Sequence, residues 1–402
     1  MPAGVMSRRR NVAAVVAATL LFMLGVTTTA SARPERAVCP GPVAAGFARC
    51  HAHVITDSRG TPLTSSAPAS TAYGPAQFHG AYGLPTTAAQ PQWIAIVDAY
   101  DDPNIANDLN AYSSYYGLPQ CNTSNPCFLK VNQNGRTSSY PSKNAGWNLE
   151  TALDVETAHQ ICQNCKILLV EANSSSLSDL AGAVNTAVYV GAKIVSNSYG
   201  GSESSGESTV TAYDHPGVAI TVSSGDSGYG SFGFPAASPT VVAVGGTTLH
   251  LGAGNTYGGE TAWSGSGSGC SKYLSAQSWQ LSDPNWSLTG CGSARAVADV
   301  AADADPNTGA AVYDTVRYQG QSGWWQVGGT SLSSPLVAGV YALAGNASSV
   351  SYPASIPYAN RTSLNDVTSG SSGNCGGGII CTGATGYDGP TGVGTPNTPA
   401  GF

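Results

Sequence analysis

Ser331 stands in the run Gly328-Gly-Thr-Ser-Leu-Ser-Ser-Pro-Leu-Val-Ala-Gly339. The glycine pair lets the backbone turn tightly, the serine then opens a helix, and Pro335 is expected within the first turn. Because a helix N-terminus favours developing negative charge, a serine placed there could act as a nucleophile. An ordinary N-cap explains most serines before helices; the full Gly-Thr-Ser-x-x-x-Pro pattern sets Ser331 apart. Its hydroxyl still needs a base. The six histidines, His51, His53, His79, His159, His215 and His250, have no catalytic setting and read as solvated or hydrogen-bonded surface residues. Another base lies in Asn148-Leu-Glu-Thr-Ala-Leu-Asp-Val-Glu-Thr-Ala-His159. Glu150 and Asp154 are one helical turn apart on one face, whereas His159 points the other way. Such acidic pairs are usually solvated, but Leu149, Ala152 and Leu153 flank this one and the helix carries no Lys or Arg. Two carboxyls held together cannot both ionise easily, so one keeps its proton and the pair can take a proton from Ser331. Glu156 lies off that face and is expected in solvent.

These residues need a rigid frame. Apolar runs at Trp93–Val97, Lys166–Val170, Lys193–Ser196, Val218–Val222 and Val241–Val244 suit strands buried on both faces. Helices are expected at Pro103–Tyr116, Asn148–Cys162, Leu177–Val190 and Ser331–Leu343. Strand and helix in alternation predict an α/β protein, a parallel sheet flanked by helices on both faces. Chemistry in such sheets gathers at the carboxyl ends of the strands. There the sequence delivers Asp98, Asn197-Ser-Tyr-Gly-Gly201 and Ser223-Ser-Gly-Asp-Ser-Gly228.

Of the 402 residues, 42% are hydrophobic and only 10% charged, with a net charge of −7. No basic run follows Arg8–Arg10, so there is no footprint for nucleic acid. Arg8–Arg10, the apolar run from Val12 to Val26 and Ala30-Ser-Ala32 read as a secretory signal over residues 1–32. The apolar run is too short for a membrane anchor. Ten cysteines fall into five sequence-near pairs, the pattern of a disulfide framework in an exported protein. Residues 33–88 read as a short leader or linker with one disulfide.

The nucleophile segment resembles that of the subtilisin-like superfamily, but a subtilisin would add a His-Gly-Thr-His context, which is missing. Taken in order, Glu150-x-x-x-Asp154, Ser223-Ser-Gly-Asp226-Ser-Gly228 and Gly328-Gly-Thr-Ser331-x-x-x-Pro335 resemble the sedolisin family of serine-carboxyl peptidases. The similarity runs from Tyr73-Gly-Pro-Ala-Gln77 to the end of the chain. It implies a subtilisin-like fold with a single catalytic domain over 89–402. It also implies Ser331 as nucleophile, Glu150 as general base and acid, Asp154 as the proton-sharing orienter and Asp226 as an oxyanion-stabilising acid. An ionised carboxylate only accepts hydrogen bonds, so Asp226 serves only when protonated, and the working pH should be acidic. Asn365-Asp-Val367 and Ala384-Thr-Gly-Tyr-Asp388 resemble the family's calcium loop, here about 364–390. By that match one structural Ca2+ takes carboxylates from Asp366 and Asp388 and carbonyls from Val367, Ala384 and Gly386. Glycine is usual where Ala384 stands. Asn197–Gly201 resembles the strand that binds substrate backbone, with Tyr199 as a pocket wall, and Asp98 is an outer member of the acidic network.

The expectation is a secreted, monomeric, acid-active endopeptidase that cuts proteins or peptides through an acyl-enzyme on Ser331, with no nucleic-acid partner and no membrane partner after signal removal. Two rivals stand beside it. One is a catalytically silent, disulfide-braced binding protein on the same fold. The other is a subtilisin-type enzyme using Asp98 and one of the histidines at neutral pH.

Overall fold

Three short strands precede the first long apolar run: β1 (Glu35–Ala37), β2 (Arg49–Cys50) and β3 (His53–Ile55). Helix α1 (Pro75–Tyr82) follows, opened by Pro75 where a missing N–H costs nothing. These elements lie inside residues 33–88, and nonlocal pairing rather than local pattern makes the strands. Residues 1–5 and 32–402 are described in this computed structural model, and residues 33–402 form one unit. The segment read as an export signal therefore lies almost wholly outside the described residues.

In chain order come β4 (Trp93–Ala99), α2 (Ile105–Tyr116), β5 (Phe128–Asn132), α3 (Ala145–Ile161), β6 (Lys166–Ala172), α4 (Leu177–Val190), β7 (Ile194–Asn197), β8 (Tyr199–Gly200), β9 (Ala219–Ser223) and β10 (Val242–Leu251). After them come β11 (Tyr257–Ala262), β12 (Gly269–Ser275), α5 (Ser278–Leu281), β13 (Ala294–Val297), β14 (Val300–Asp303), β15 (Ala310–Tyr318), β16 (Gln321–Gly328) and α6 (Thr330–Ala344). The central sheet runs β11-β10-β9-β7-β4-β6-β5, with β14 also paired to β10. Every pairing is parallel except β10 with β11. The five expected strands all lie in it. Val97 pairs with both Val170 and Asn197, and strands covered on both faces must be apolar throughout. β5 and β14 escape that pattern because β5 is an edge carrying Lys130 and β14 is a short alanine-rich run.

Helices α3 and α6 pack together on one side of the sheet, and α4 covers β4, β6 and β7 from the other. Asn144 caps α3 by accepting from the N–H groups of Gly146 and Trp147 at 3.1 and 3.3 Å. A small antiparallel sheet, β1-β3-β16-β15, closes over the remaining side of α3. Every residue of α3 from Trp147 to Ile161 is consequently buried. This corrects the expectation for Glu156, which is 1% exposed and accepts from the Tyr313 N–H of β15 at 2.9 Å. A helix enclosed on all sides has no solvated face.

Pro335 also differs from expectation. Helix α6 starts at Thr330, so the proline falls in the second turn. Its missing N–H would have served the carbonyl of Ser331. That carbonyl accepts instead from the Ser198 hydroxyl at 3.3 Å. The five disulfides join Cys39–Cys50, Cys121–Cys127, Cys162–Cys165, Cys270–Cys291 and Cys375–Cys381, each a sequence-near pair. Among the described residues no helix is long and apolar enough to cross a membrane.

Candidate active site

β16 ends at Gly328, and the chain reverses into α6 through Gly329 at φ 95°. A Cβ on Gly329 would lie 2.0 Å from the His51 carbonyl oxygen and 2.7 Å from Asp226 Oδ2, so only glycine fits. The turn sets Ser331 at the second position of α6, fully buried, with its Oγ donating to the Ser198 carbonyl at 3.3 Å. Ser334, one turn on, ties the helix to the sheet by donating to Thr221 Oγ1 of β9 at 3.1 Å.

Across from the serine, α3 presents Glu150 and Asp154, both 0% exposed. Asp98, at the end of β4, completes a seam of three buried carboxyls. Their six oxygens lack a partner at ordinary hydrogen-bond geometry. The Ser331 hydroxyl and the Ala52 N–H approach Glu150 without reaching that geometry. Burial, then the charge of Asp98, raises Glu150 well above the usual carboxylate range. Burial, Asp98 and Glu150 do the same to Asp154, and burial pushes Asp98 up to about 7. Protons in the seam are shared property rather than assignable to one group.

Asp226 enters from the loop after β9. Its Oδ1 accepts from the Thr330 N–H at 2.8 Å and the Thr330 hydroxyl at 2.7 Å. Oδ2 has no hydrogen bond and lies 3.6 Å from His53 Nε2. Burial pushes Asp226 up to about 6, opposed by the His53 charge and the Thr330 donors. Burial alone would depress His53, but the Glu35 hydrogen bond and the Asp226 charge leave it raised. Glu35 Oε1 sits 3.5 Å from His53 Nδ1.

The structure thus gathers Ser331, Glu150, Asp154 and Asp226 around one point, with Asp98 behind them. Two neighbours were given no role from the sequence, Thr330 and His53, and Ser198 was read only as part of the Asn197–Gly201 substrate strand rather than as a partner of Ser331. Thr330 stands inside the serine motif; His53 carries no local signal. His51, expected at the surface, is 7% exposed, with Nδ1 2.7 Å from Ser223 Oγ, and burial pushes it down to about 3. His159, expected in solvent, is 0% exposed with Nε2 2.9 Å from the Pro119 carbonyl. Both are held by elements that pack over them. Tyr199 does not wall a pocket: it is 0% exposed, its hydroxyl bonded to Asn197 Oδ1 at 2.8 Å beneath the strand. The open cavity beside the site, about 690 Å³, is lined by Arg49, Gly200, Glu203, Phe232 and Tyr273.

In the C-terminal loops Asp366 accepts from the Gly386 N–H at 3.1 and 3.0 Å. Asp388 accepts from the Ala384 N–H at 2.9 Å and from the Thr391 N–H and hydroxyl at 2.9 and 2.8 Å. Asn285 Nδ2 donates to the Thr385 carbonyl at 2.6 Å and steadies the turn between. Burial pushes Asp388 up to about 8, and Asp366 adds to the push. Neither carboxylate has an ion-pair partner among the described residues. Among those residues no group of three His, Cys, Asp or Glu gathers to hold a metal. Two carboxylates near enough for Asp366 to raise Asp388, with no cation beside them among those residues, offer hard oxygens of the kind calcium takes.

Residues 135–378 match the subtilase family. The chain is 29% identical over 389 residues to sedolisin of Pseudomonas sp. (strain 101), covering 86% of this chain and 63% of the relative. It is 33% identical over 309 residues to kumamolisin of Bacillus sp. (strain MN-32), covering 69% and 53%. The chain thus spans less than two thirds of the length of either curated relative. A solved Pseudomonas sedolisin, a serine-carboxyl proteinase complexed with two molecules of pseudo-iodotyrostatin, superposes with a TM-score of 0.64 at 28% identity. That match covers 82% of this chain and 96% of the other. The chain belongs to the subtilase family, and the relatives it resembles at about 30% identity are sedolisin and kumamolisin.

Proposed function

We propose that the protein is a secreted, acid-active serine-carboxyl endopeptidase that forms an acyl-enzyme on Ser331. The observation that carries this reading is a buried serine at a helix N-terminus facing two unpaired carboxyls, where a subtilisin would hold a histidine. Ser331 Oγ attacks the substrate carbonyl while Glu150 takes its proton, and Asp154 and Asp98 share the proton load so that Glu150 need not carry it alone. The oxyanion accepts from Asp226 Oδ2, which can donate only in the acid form. Glu150 then returns the proton to the leaving amine, and water reverses the sequence to release the acid product.

The sign of the pH dependence follows. Asp226 sits at about 6, so its donor is present below that value and lost above it. Activity should therefore fall as pH rises toward neutrality. Residues 1–32 serve export, 33–88 form a leader, and 89–402 carry the peptidase, which works as a monomer on protein or peptide substrates. One Ca2+ bound through Asp366 and Asp388, with the carbonyls of Val367, Ala384 and Gly386, would lock the C-terminal loop by charge neutralisation. The test is hydrolysis of a denatured protein from pH 3 to pH 9. Acid-limited activity should drop by about 10³-fold or more in Ser331→Ala and Glu150→Gln; an optimum near pH 8 would overturn the mechanism.

A further inference from the structure

Ser198 sits between β7 and β8 at the carboxyl edge of the central sheet, 0% exposed. It meets the nucleophile twice. Ser331 Oγ donates to the Ser198 carbonyl and Ser198 Oγ donates to the Ser331 carbonyl, each at 3.3 Å. A strong O–H···O bond is about 2.5–3.0 Å long, so both hydroxyl protons are weakly held and turn readily to a better acceptor. For Ser331 that acceptor is Glu150. For Ser198 it is Asp154, whose charged form the Ser198 hydroxyl favours by its nearness, although neither Asp154 oxygen is reached at ordinary hydrogen-bond geometry.

Pro335 makes the second contact possible. In an unbroken helix the N–H of residue 335 would bond to the carbonyl of residue 331. Proline has no N–H to give, and the Ser198 hydroxyl takes its place. The four-residue spacing from Ser331 to Pro335 therefore reserves the nucleophile's own carbonyl for Ser198. The groups that face Asp154 leave it no other donor among the described residues. Asp98 from β4 and Glu150 from its own helix are both acidic and both raise it. Tyr199 senses the charge of Asp98, but its hydroxyl is committed to Asn197 Oδ1 at 2.8 Å. No cation pairs with these carboxyls among the described residues.

We propose that Ser198 is a positioning residue of the peptidase, whose hydroxyl turns to Asp154 when the carboxyl seam is charged and to the Ser331 carbonyl when the seam has taken the proton of Ser331. The inference rests on the peptidase reading above. As Glu150 accepts that proton, the seam loses its charge, and the Ser198 hydroxyl returns to α6 and firms the turn that now carries the acyl group. As Glu150 gives the proton to the leaving amine, charge returns to the seam and the hydroxyl follows it. Ser198 keeps its own proton throughout, and its hydroxyl touches no reacting atom.

The sign of the effect follows. Glu150 can accept a proton only while the seam carries charge, so the acid limb of the activity profile marks the pH at which that charge is lost. A hydroxyl that donates to a carboxylate favours the charged form. Without the Ser198 hydroxyl the seam discharges at a higher pH, and the acid limb moves up. With the hydroxyl freed from the Ser331 carbonyl the charge is better held, and the limb moves down. The alkaline limb belongs to Asp226, which bonds to Thr330 and has no bond to Ser198.

The experiment is the pH dependence of kcat and KM from pH 2 to pH 7 for wild type, Ser198→Ala, Pro335→Ala and Ser334→Ala, on a chromogenic peptide copied from a site cut in a denatured protein. In Ser198→Ala the acid limb should rise by about one pH unit and kcat should fall about tenfold, with KM and the alkaline limb unchanged. Pro335→Ala supplies the Ser331 carbonyl with a helical N–H and releases Ser198 to Asp154, so its acid limb should move down. Ser334→Ala loosens the same helix from β9 without touching the seam and should leave the acid limb in place. An unmoved acid limb in Ser198→Ala, or an upward shift in Pro335→Ala, overturns the proposal and leaves the peptidase reading standing. Should Ser198→Ala not fold, Pro335→Ala decides alone: a downward shift supports the proposal, and an upward shift or none overturns it. Wild-type protein that cleaves no denatured protein at any pH overturns the peptidase reading and this proposal with it.

Discussion

Two regions of the molecule bury carboxylates completely and treat them in opposite ways. Below β13, Asp299 accepts both Arg295 guanidinium nitrogens, the Ala243 N–H at 2.8 Å, the Tyr358 hydroxyl at 2.9 Å and Gln280 Nε2 at 3.2 Å. Beneath Ser331, the seam of Asp98, Glu150 and Asp154 meets no cation among the described residues and leaves all six oxygens without a proper partner. The first arrangement fixes a charge and spends it on structure. The second keeps protons loosely held, which costs stability but leaves groups able to give and take them near the working pH. Reactivity in this fold comes from withholding partners.

The largest break of that comparison is Arg295→Ala. Removing one partner of a buried pair strands Asp299 in the core, and about 3–5 kcal/mol of unfolding free energy should be lost. Denaturant midpoints would show it, while activity per folded molecule should stay unchanged because Arg295 bonds to Asp299 and the Val241 carbonyl and to no member of the seam.

A smaller effect sharpens the other half. In the unfolded chain Asp98 releases its proton near 4, but folded it holds on to about 7. Between those values the unfolded state binds fewer protons, so stability is greatest below about pH 4 and falls as pH rises through 7. Each unit of raised pKa corresponds to about 1.4 kcal/mol, and a loss of about 2–3 kcal/mol between pH 4 and pH 7 is expected. Thermal midpoints measured across that range should decline in the wild type and decline less in an Asp98→Asn, Glu150→Gln double variant; a flat wild-type profile would remove the distinction between the two regions.

The smallest effect concerns Asp388, which resembles both classes. Backbone donors satisfy it as they help satisfy Asp299, yet its charged neighbour is Asp366 rather than an arginine. Calcium would supply the missing cation. Chelation should then lower the thermal stability by about 1–2 kcal/mol, as loss of a ligand held well above its Kd does, and Asp366→Ala should abolish the difference. An unchanged midpoint with chelator would place Asp388 among the self-sufficient carboxylates.

What could be read from the residues depended on how local the cause was. The five central strands were legible because burial on both faces forces runs such as Ile94–Val97, and Glu150 with Asp154 because a helical turn imposes its spacing. The strand before it placed Asp226 at the reactive edge, but a role for it, and for Asp366 and Asp388, was expected only through resemblance, since an aspartate in a glycine-rich turn has no pattern of its own. Strands β1 to β3 are two or three residues long and exist because β8 and β16 offer open edges. His53 owes its place beside Asp226 to that pairing. The burial of Glu156 depends on a hairpin more than 150 residues downstream.

The enclosure of α3 has one more consequence, for how the protein fails. Amides exchange with solvent through local openings where an element has an exposed face or a frayed edge, and only through global unfolding where it has neither. The turns of α3 that carry Glu150 and Asp154 belong to the second kind. Heat or denaturant can loosen the exposed loops without disturbing the spacing of those two carboxyls, so catalysis should persist undiminished in each intact molecule and vanish only with the collapse of the whole.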